Sequence, residues 1–160
     1  ENKVEIIEEN ISRNNMKNIK AVCMNAEIFD AASKDKYDIV LADLPCSGLG
    51  VIGKKADIRY RVKQEDIAGL ATLQRDILSV VWQYVKPGGV LIYSTCTINE
   101  TENQDNVKWF TENFPFETES FSDSVSNIND AQTATKGWLQ LLPGIHEGDG
   151  AFVAKLRRKA

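Results

Sequence analysis

Apolar residues along the chain recur in two periods, and the switches between them outline the elements. Val4, Ile7 and Ile11 share one helical stripe near the start, and Ile67, Leu70, Leu73, Ile77, Leu78, Val81 and Trp82 predict a long amphipathic helix over 65–85. Lys86-Pro87-Gly88-Gly89 supplies its stop. Tyr37 to Ala42 and Val90 to Thr95 are short, largely apolar runs of the kind expected of strands buried on both faces, and Lys20 to Met24 reads as a further short strand. Thr97-Ile98-Asn99-Glu100 matches a capping box, so a helix through Val107 and Phe110 is predicted to start there. Phe121 to Thr135 is rich in Ser, Asn and Asp and reads as a mobile loop. Trp138 to Leu142 and Ala151 to Leu156, joined through Pro143-Gly144 and Gly148-Asp149-Gly150, predict a closing antiparallel hairpin.

Strand, helix, strand, helix and hairpin is the order of a doubly wound α/β sheet, whose ligands sit at the carboxyl ends of the strands. Asp43, Cys46 and Cys96 are all predicted at such ends. With 160 residues and 42% hydrophobic composition the chain is expected to form one domain. It begins Glu1-Asn2-Lys3-Val4, without methionine and directly in a helical pattern, as expected of a piece of something longer. No apolar run approaches the roughly 20 residues that cross a bilayer, and no signal-peptide pattern opens the chain. The three cysteines show neither a CxxC spacing nor an even count, which argues against a disulfide framework or a zinc site. Reduced thiols point to the cytoplasm.

The net charge of -4 argues against a general polyanion-binding surface, so any nucleic-acid contact must be local. The strongest local candidate runs from Gly53 to Lys63, where Lys54, Lys55, Arg59, Arg61 and Lys63 oppose only Asp57 and flank Tyr60. Lys155 to Lys159 is a second.

Two thiols converging on one sheet edge suit carbon methylation of a pyrimidine. Cytosine C5 is too weak a nucleophile to attack a sulfonium methyl unless a thiolate first adds to C6. After transfer the C5 proton must leave and the thiol must be expelled, a step served by a second acid/base group. A helix N-terminus just beyond Cys96 would favour its thiolate. Cys23, inside a predicted strand, reads as an inert buried hydrophobe. His146, the only histidine, reads as structural or loop-orienting rather than a metal ligand. Gly48-Leu49-Gly50-Val51-Ile52-Gly53 formally satisfies GxGxxG, but no clear helix follows, so its glycines are expected to let the loop pass close to a base or cofactor. Trp82 and Trp109 are expected to pack helices against the sheet, and Trp138 either packs in the hairpin or faces the cleft.

The segments Asp43-Leu44-Pro45-Cys46-Ser47-Gly48-Leu49-Gly50 and Tyr93-Ser94-Thr95-Cys96-Thr97-Ile98-Asn99-Glu100-Thr101-Glu102-Asn103 closely resemble two signature motifs of Sun-type RNA (cytosine-C5)-methyltransferases. The likeness extends through Asp57-Ile58-Arg59-Tyr60, Leu73-Gln74, Lys86-Pro87-Gly88-Gly89 and the segment from Gly148 to Arg158, and is greatest to the bacterial enzymes acting on a cytosine of 16S ribosomal RNA. It implies a Rossmann-like S-adenosylmethionine-dependent methyltransferase sheet with a C-terminal antiparallel hairpin. Cys96 would be the nucleophile, Cys46 would assist release, and Asp43 would orient the cytosine edge or the cofactor's methionine part. Pro45 would shape the loop. Asn25 stands where the family places an acidic residue against the cofactor adenine. The family's glycine-rich loop, its ribose-binding acid and its N-terminal RNA-binding domain would all lie upstream of Glu1. Residues 1–160 are therefore expected to be a partial catalytic domain, truncated on its N-terminal side and inactive alone. Two missing strands would separate Lys20–Met24 from Tyr37–Ala42, leaving the former mispaired, loosely held or completed by another molecule, and an open edge that recruits a second chain. Rival readings are a DNA cytosine-C5 methyltransferase, in which Cys46 is the nucleophile, and a noncatalytic RNA-binding module.

Overall fold

The computed structural model describes residues 2–129 and 131–160. Helix α1 (Asn2–Arg13) opens the chain, with Ile7 on its predicted stripe still 45% exposed. Strand β1 (Tyr37–Asp43) leads through the short helix α2 (Ile58–Arg61) to the long helix α3 (Gln64–Val81). Strand β2 (Val85–Thr95) follows, then a 3-10 turn (Glu100–Glu102) and helix α4 (Gln104–Asn113). Strands β3 (Phe116–Thr118), β4 (Trp138–Leu141) and β5 (Ala151–Arg158) complete one mixed five-stranded sheet.

β1 and β2 are parallel and joined across α3, while β5 runs antiparallel to β2, β3 and β4. β3 faces residues 156–158 of β5 and β4 faces residues 151–154, so the two share one edge end to end. They act as a single strand interrupted by residues 119–137. At the join, Glu119 N–H donates to the Lys155 carbonyl and Lys155 N–H donates to the Gly137 carbonyl, both at 2.9 Å. The predicted hairpin forms, whereas β3, too short to show a period, was not visible as a strand.

One face of the sheet carries the core. Ala42, Leu91, Tyr93, Phe152, Ala154, Leu156 and Phe116 pack against Ile77 and Leu78 of α3 and Val107 and Phe110 of α4. Trp82 packs at a tilt against Phe114, Trp109 meets the same ring edge-on, and the Trp138 and Phe152 ring centroids lie 6.0 Å apart within the hairpin.

Several expectations are corrected. β1 is not buried on both faces: Ile39 and Leu41 are 66% and 68% exposed, because β1 is an edge strand and no helix covers that side among the described residues. Lys20 to Met24 forms no strand, having no neighbour to supply a ladder, and Cys23 is consequently exposed rather than buried. α3 ends at Val81 and continues as a 3-10 turn to Tyr84. Lys86-Pro87-Gly88-Gly89 belongs to β2, where it bulges out between the Tyr37↔Val85 and Ile39↔Val90 pairings. Extruding Pro87 from the ladder removes the need for its missing N–H. Within Phe121 to Thr135 the chain forms two 3-10 turns (Ser122–Val125 and Gln132–Lys136), the second burying Ala134 completely.

Candidate active site

The parallel pairing of β1 with β2 brings the two cysteine segments together. Asp43 ends β1 opposite Ser94, and the chains leaving the two strands carry Cys46 and Cys96 to the same edge. Their sulfurs lie 3.3 Å apart. Cys96 is exposed and Cys46 half-buried. Burial first, and the Cys96 thiol second, push the Cys46 thiol up to about 12. Cys46 therefore carries a proton at neutral pH and is placed to donate it across the contact to Cys96, the more exposed of the two sulfurs. Asp43 is exposed, and one of its carboxylate oxygens accepts from Ser94 Oγ at 2.9 Å.

The loop after Cys46 is held by backbone contacts. Gly50 N–H donates to the Cys96 carbonyl at 3.0 Å, and Gly150 N–H donates to the Gly50 carbonyl at 2.8 Å. A Cβ on Gly50 would fall 2.2 Å from the Gly150 oxygen. Gly50 is thus needed for close approach of three chain segments. Gly48, at φ +71°, turns the chain where other residues are strained.

Helix α4 does not begin at the expected capping box. Thr97 Oγ1 accepts from Asn99 N–H at 3.3 Å, Asn99 caps the 3-10 turn, and α4 starts only at Gln104, so its positive end is not immediately beyond Cys96. The competing side-chain turn at Thr97 explains the delay.

A buried polar cluster lies between the two cysteine segments and was missed in the sequence. Gln74, Thr97, Glu102, Asn103 and Asn106 are completely buried, with Ser47 nearly so. Thr95 Oγ1 donates to Asn103 Oδ1 at 2.7 Å, and the Asn103 amide reaches the Thr97 carbonyl and Gln140 Oε1. One signal was available: Gln74 stands on the stripe of Ile67, Ala71, Leu78 and Val81, a polar residue at a core position.

The other candidates are dispersed. Asn25 is exposed in the coil before β1, and its Oδ1 accepts from Glu27 N–H at 3.0 Å, with no hydrogen bond to Asp43 or Pro45. Pro45 is exposed, its carbonyl held by Gln74 Nε2 at 2.8 Å. Lys54, Lys55, Arg59 and Arg61 are all exposed; Lys54 pairs with Asp149 and Arg61 with Asp57, while Lys55 and Arg59 have no ion pair among the described residues. Ile58, buried beside Gly48, anchors this basic segment next to the cysteine loop. His146 accepts from Leu142 N–H at 2.9 Å and reaches the Asn129 carbonyl at 3.0 Å, a loop-orienting role as expected. No helix among the described residues is long and apolar enough to cross a membrane.

Known proteins are similar to this chain in sequence and in fold. Ribosomal RNA small subunit methyltransferase F of Pectobacterium atrosepticum is 38% identical over 98% of this chain, and the protein of the same name in Klebsiella pneumoniae is 37% identical over 99%. The chain spans about a third of the length of these curated relatives, 32% and 33% respectively. Among solved structures, NSun6 from Pyrococcus horikoshii with SFG superposes with a TM-score of 0.83 at 31% identity, covering 100% of this chain and 40% of that one. The crystal structure of PH0851 gives a TM-score of 0.86 at 29% identity over 96% of this chain and 34% of that one. The fold is accordingly the Rossmann-like one of S-adenosylmethionine-dependent methyltransferases. The 16S rRNA methyltransferase RsmB/F profile matches residues 1–157, and the chain belongs to that family.

Proposed function

We propose that this chain is the cysteine-bearing part of the catalytic domain of an S-adenosylmethionine-dependent enzyme that methylates C5 of a cytosine in small-subunit ribosomal RNA. The observation that carries the reading is the pair of thiols 3.3 Å apart at the end of β1 and β2, one exposed and one half-buried and protonated. The exposed Cys96 thiolate adds to C6 and makes C5 nucleophilic. Once C5 carries the methyl group, Cys46 gives its proton to the departing Cys96 sulfur and, as a thiolate, takes the proton from C5. The C5–C6 double bond reforms and both thiols are restored. Asp43 holds the cytosine edge or the methionine part.

S-adenosylmethionine supplies an electrophilic methyl group when bound. The residues present fit its methionine end, since the exposed Asp43 carboxylate has an oxygen without a partner among the described residues, suited to an ammonium group. Pro45 borders it and Asn25 offers an amide to the adenine. SFG, an S-adenosylmethionine analogue, in the similar Pyrococcus horikoshii structure supports the same cofactor. Lys54, Lys55, Arg59 and Arg61 meet the RNA phosphates, and the target base must be unpaired or flipped to expose C6.

The test is adduct detection on denaturing gels with the full-length protein, ribosomal RNA and cofactor. Cys46→Ala is expected to accumulate a covalent protein–RNA adduct and Cys96→Ala to form none. The reverse pattern would move the nucleophile to Cys46, as in DNA-type enzymes, and absence of adduct in every variant would favour a noncatalytic RNA-binding module.

A further inference from the structure

Glu102 is a completely buried acid in the turn that follows Cys96, and among the described residues it has no cationic partner. Removing a carboxylate from water without a counter-ion is costly unless hydrogen bonds replace its hydration. Here three donors do so. Glu102 Oε1 accepts from Ser47 N–H at 2.9 Å and from Gln74 Nε2 at 3.1 Å, and Oε2 accepts from Ser47 Oγ at 2.5 Å. Both carboxyl oxygens are thereby engaged.

The donors of these bonds, Ser47 and Gln74, lead to the residues on either side of Cys46. Gln74 Nε2 also holds the Pro45 carbonyl at 2.8 Å, so the peptide before Cys46 and the peptide after it are both tied to one buried pair of side chains. Because the Ser47 hydroxyl points its proton at Glu102, Thr97 Oγ1 must donate to Ser47 Oγ across their 2.8 Å contact. Ser47 follows Cys46 and Thr97 follows Cys96, so this bond couples the two cysteine segments one residue beyond each sulfur. Glu102 itself is fixed through its carbonyl, which accepts from the Tyr93 hydroxyl and from Asn106 Nδ2. Burial raises the Tyr93 hydroxyl, which stays protonated and remains a donor.

We infer that Glu102 is a positioning residue that holds the Cys46 thiol against Cys96, and that through Cys46 it serves release of the methylated base rather than attack on it. The inference rests on the roles proposed above for the two thiols. Cys96 leaves the end of β2, whose ladder to β1 and β5 does not depend on Glu102. The Cys46 loop is anchored by the Glu102 and Gln74 side chains, with the Thr97 hydroxyl bonded to Ser47 beside them. Loss of Glu102 should therefore free Cys46 and spare Cys96.

The test uses the full-length protein with Glu102→Ala, Glu102→Gln, Ser47→Ala and Cys46→Ala, each in a Cys23→Ser background. Two quantities are read: covalent adduct with ribosomal RNA and cofactor, and the rate at which diamide joins Cys46 to Cys96 with loss of two hydrogens. Glu102→Ala is expected to raise adduct at least tenfold, approaching Cys46→Ala, and to slow diamide cross-linking at least tenfold. Glu102→Gln keeps an acceptor for Ser47 N–H and should restore most of both. A Glu102→Ala protein that folds, cross-links at the parental rate and accumulates no adduct would overturn the inference, as would equal loss of adduct formation and turnover. Should Glu102→Ala fail to fold, Ser47→Ala, which deletes one hydroxyl, decides by the same two readings. If Cys46→Ala itself accumulates no adduct, the proposed thiol roles fail, and the cross-linking rate alone still decides whether Glu102 holds Cys46.

Discussion

Cys46 and Cys96 differ in exposure although they are 3.3 Å apart. With its thiol pushed up to about 12, Cys46 is a thiolate in about one part in ten thousand at pH 8. Iodoacetamide at that pH is expected to label the exposed Cys23 and Cys96 first and Cys46 far more slowly, with denaturant erasing the difference, as peptide mass mapping would record. Equal labelling of all three in the folded protein would contradict the burial of Cys46. Gly50 gives a second residue-scale expectation. Its missing Cβ is required by the Gly150 oxygen, so Gly50→Ala should destabilise by about 1–3 kcal/mol in urea unfolding. Gly53→Ala, with nothing within 4 Å of the added methyl, should stay within about 0.5 kcal/mol.

At the scale of elements, the interrupted edge strand depends on Glu119. Hydrogen bonds from Arg157 first, then Lys155, hold its carboxyl at about 2, below the usual 4.5. A depressed value in the folded state means that this contribution is complete above about pH 4.5 and disappears as pH falls through about 2. Glu119→Gln is expected to lower the urea midpoint at pH 7, modestly because the site is partly exposed, and the gap to the parent should narrow steadily below about pH 4.5 and close only below about pH 2. A gap independent of pH would mean that packing rather than charge holds the join. The same scale shows why sequence patterns misled. β2 absorbs Lys86-Pro87-Gly88-Gly89 because β5 offers Arg157, whose Nη1 reaches the Gly88 carbonyl at 2.7 Å, a partner 69 residues away that no local signal announces. β3 is three residues long and exists only because β5 provides its ladder.

At the scale of the molecule, the core is one-sided. α3 and α4 cover one face, while among the described residues Ile39 and Leu41 remain open on the other beside the unpaired edge of β1. An exposed apolar strand edge recruits further chains. The 160-residue chain alone is expected to self-associate in light scattering, and Ile39→Lys with Leu41→Lys should shift it toward monomer; a monomeric parent at all concentrations would refute this. By itself the sequence determined the two cysteine segments, the parallel strands that carry them, the long helix between and the closing hairpin, because strong periodicity and short turn signals act locally. Only the tertiary structure decided that the sulfurs meet at 3.3 Å, that Gly50 serves packing, that Cys23 and β1 lie exposed, and that Glu102, Gln74 and Ser47 hold the Cys46 loop. Those outcomes depend on strand pairing and on hydrogen bonds between residues tens of positions apart, and the spacing of residues along a chain does not encode which donor will find which acceptor.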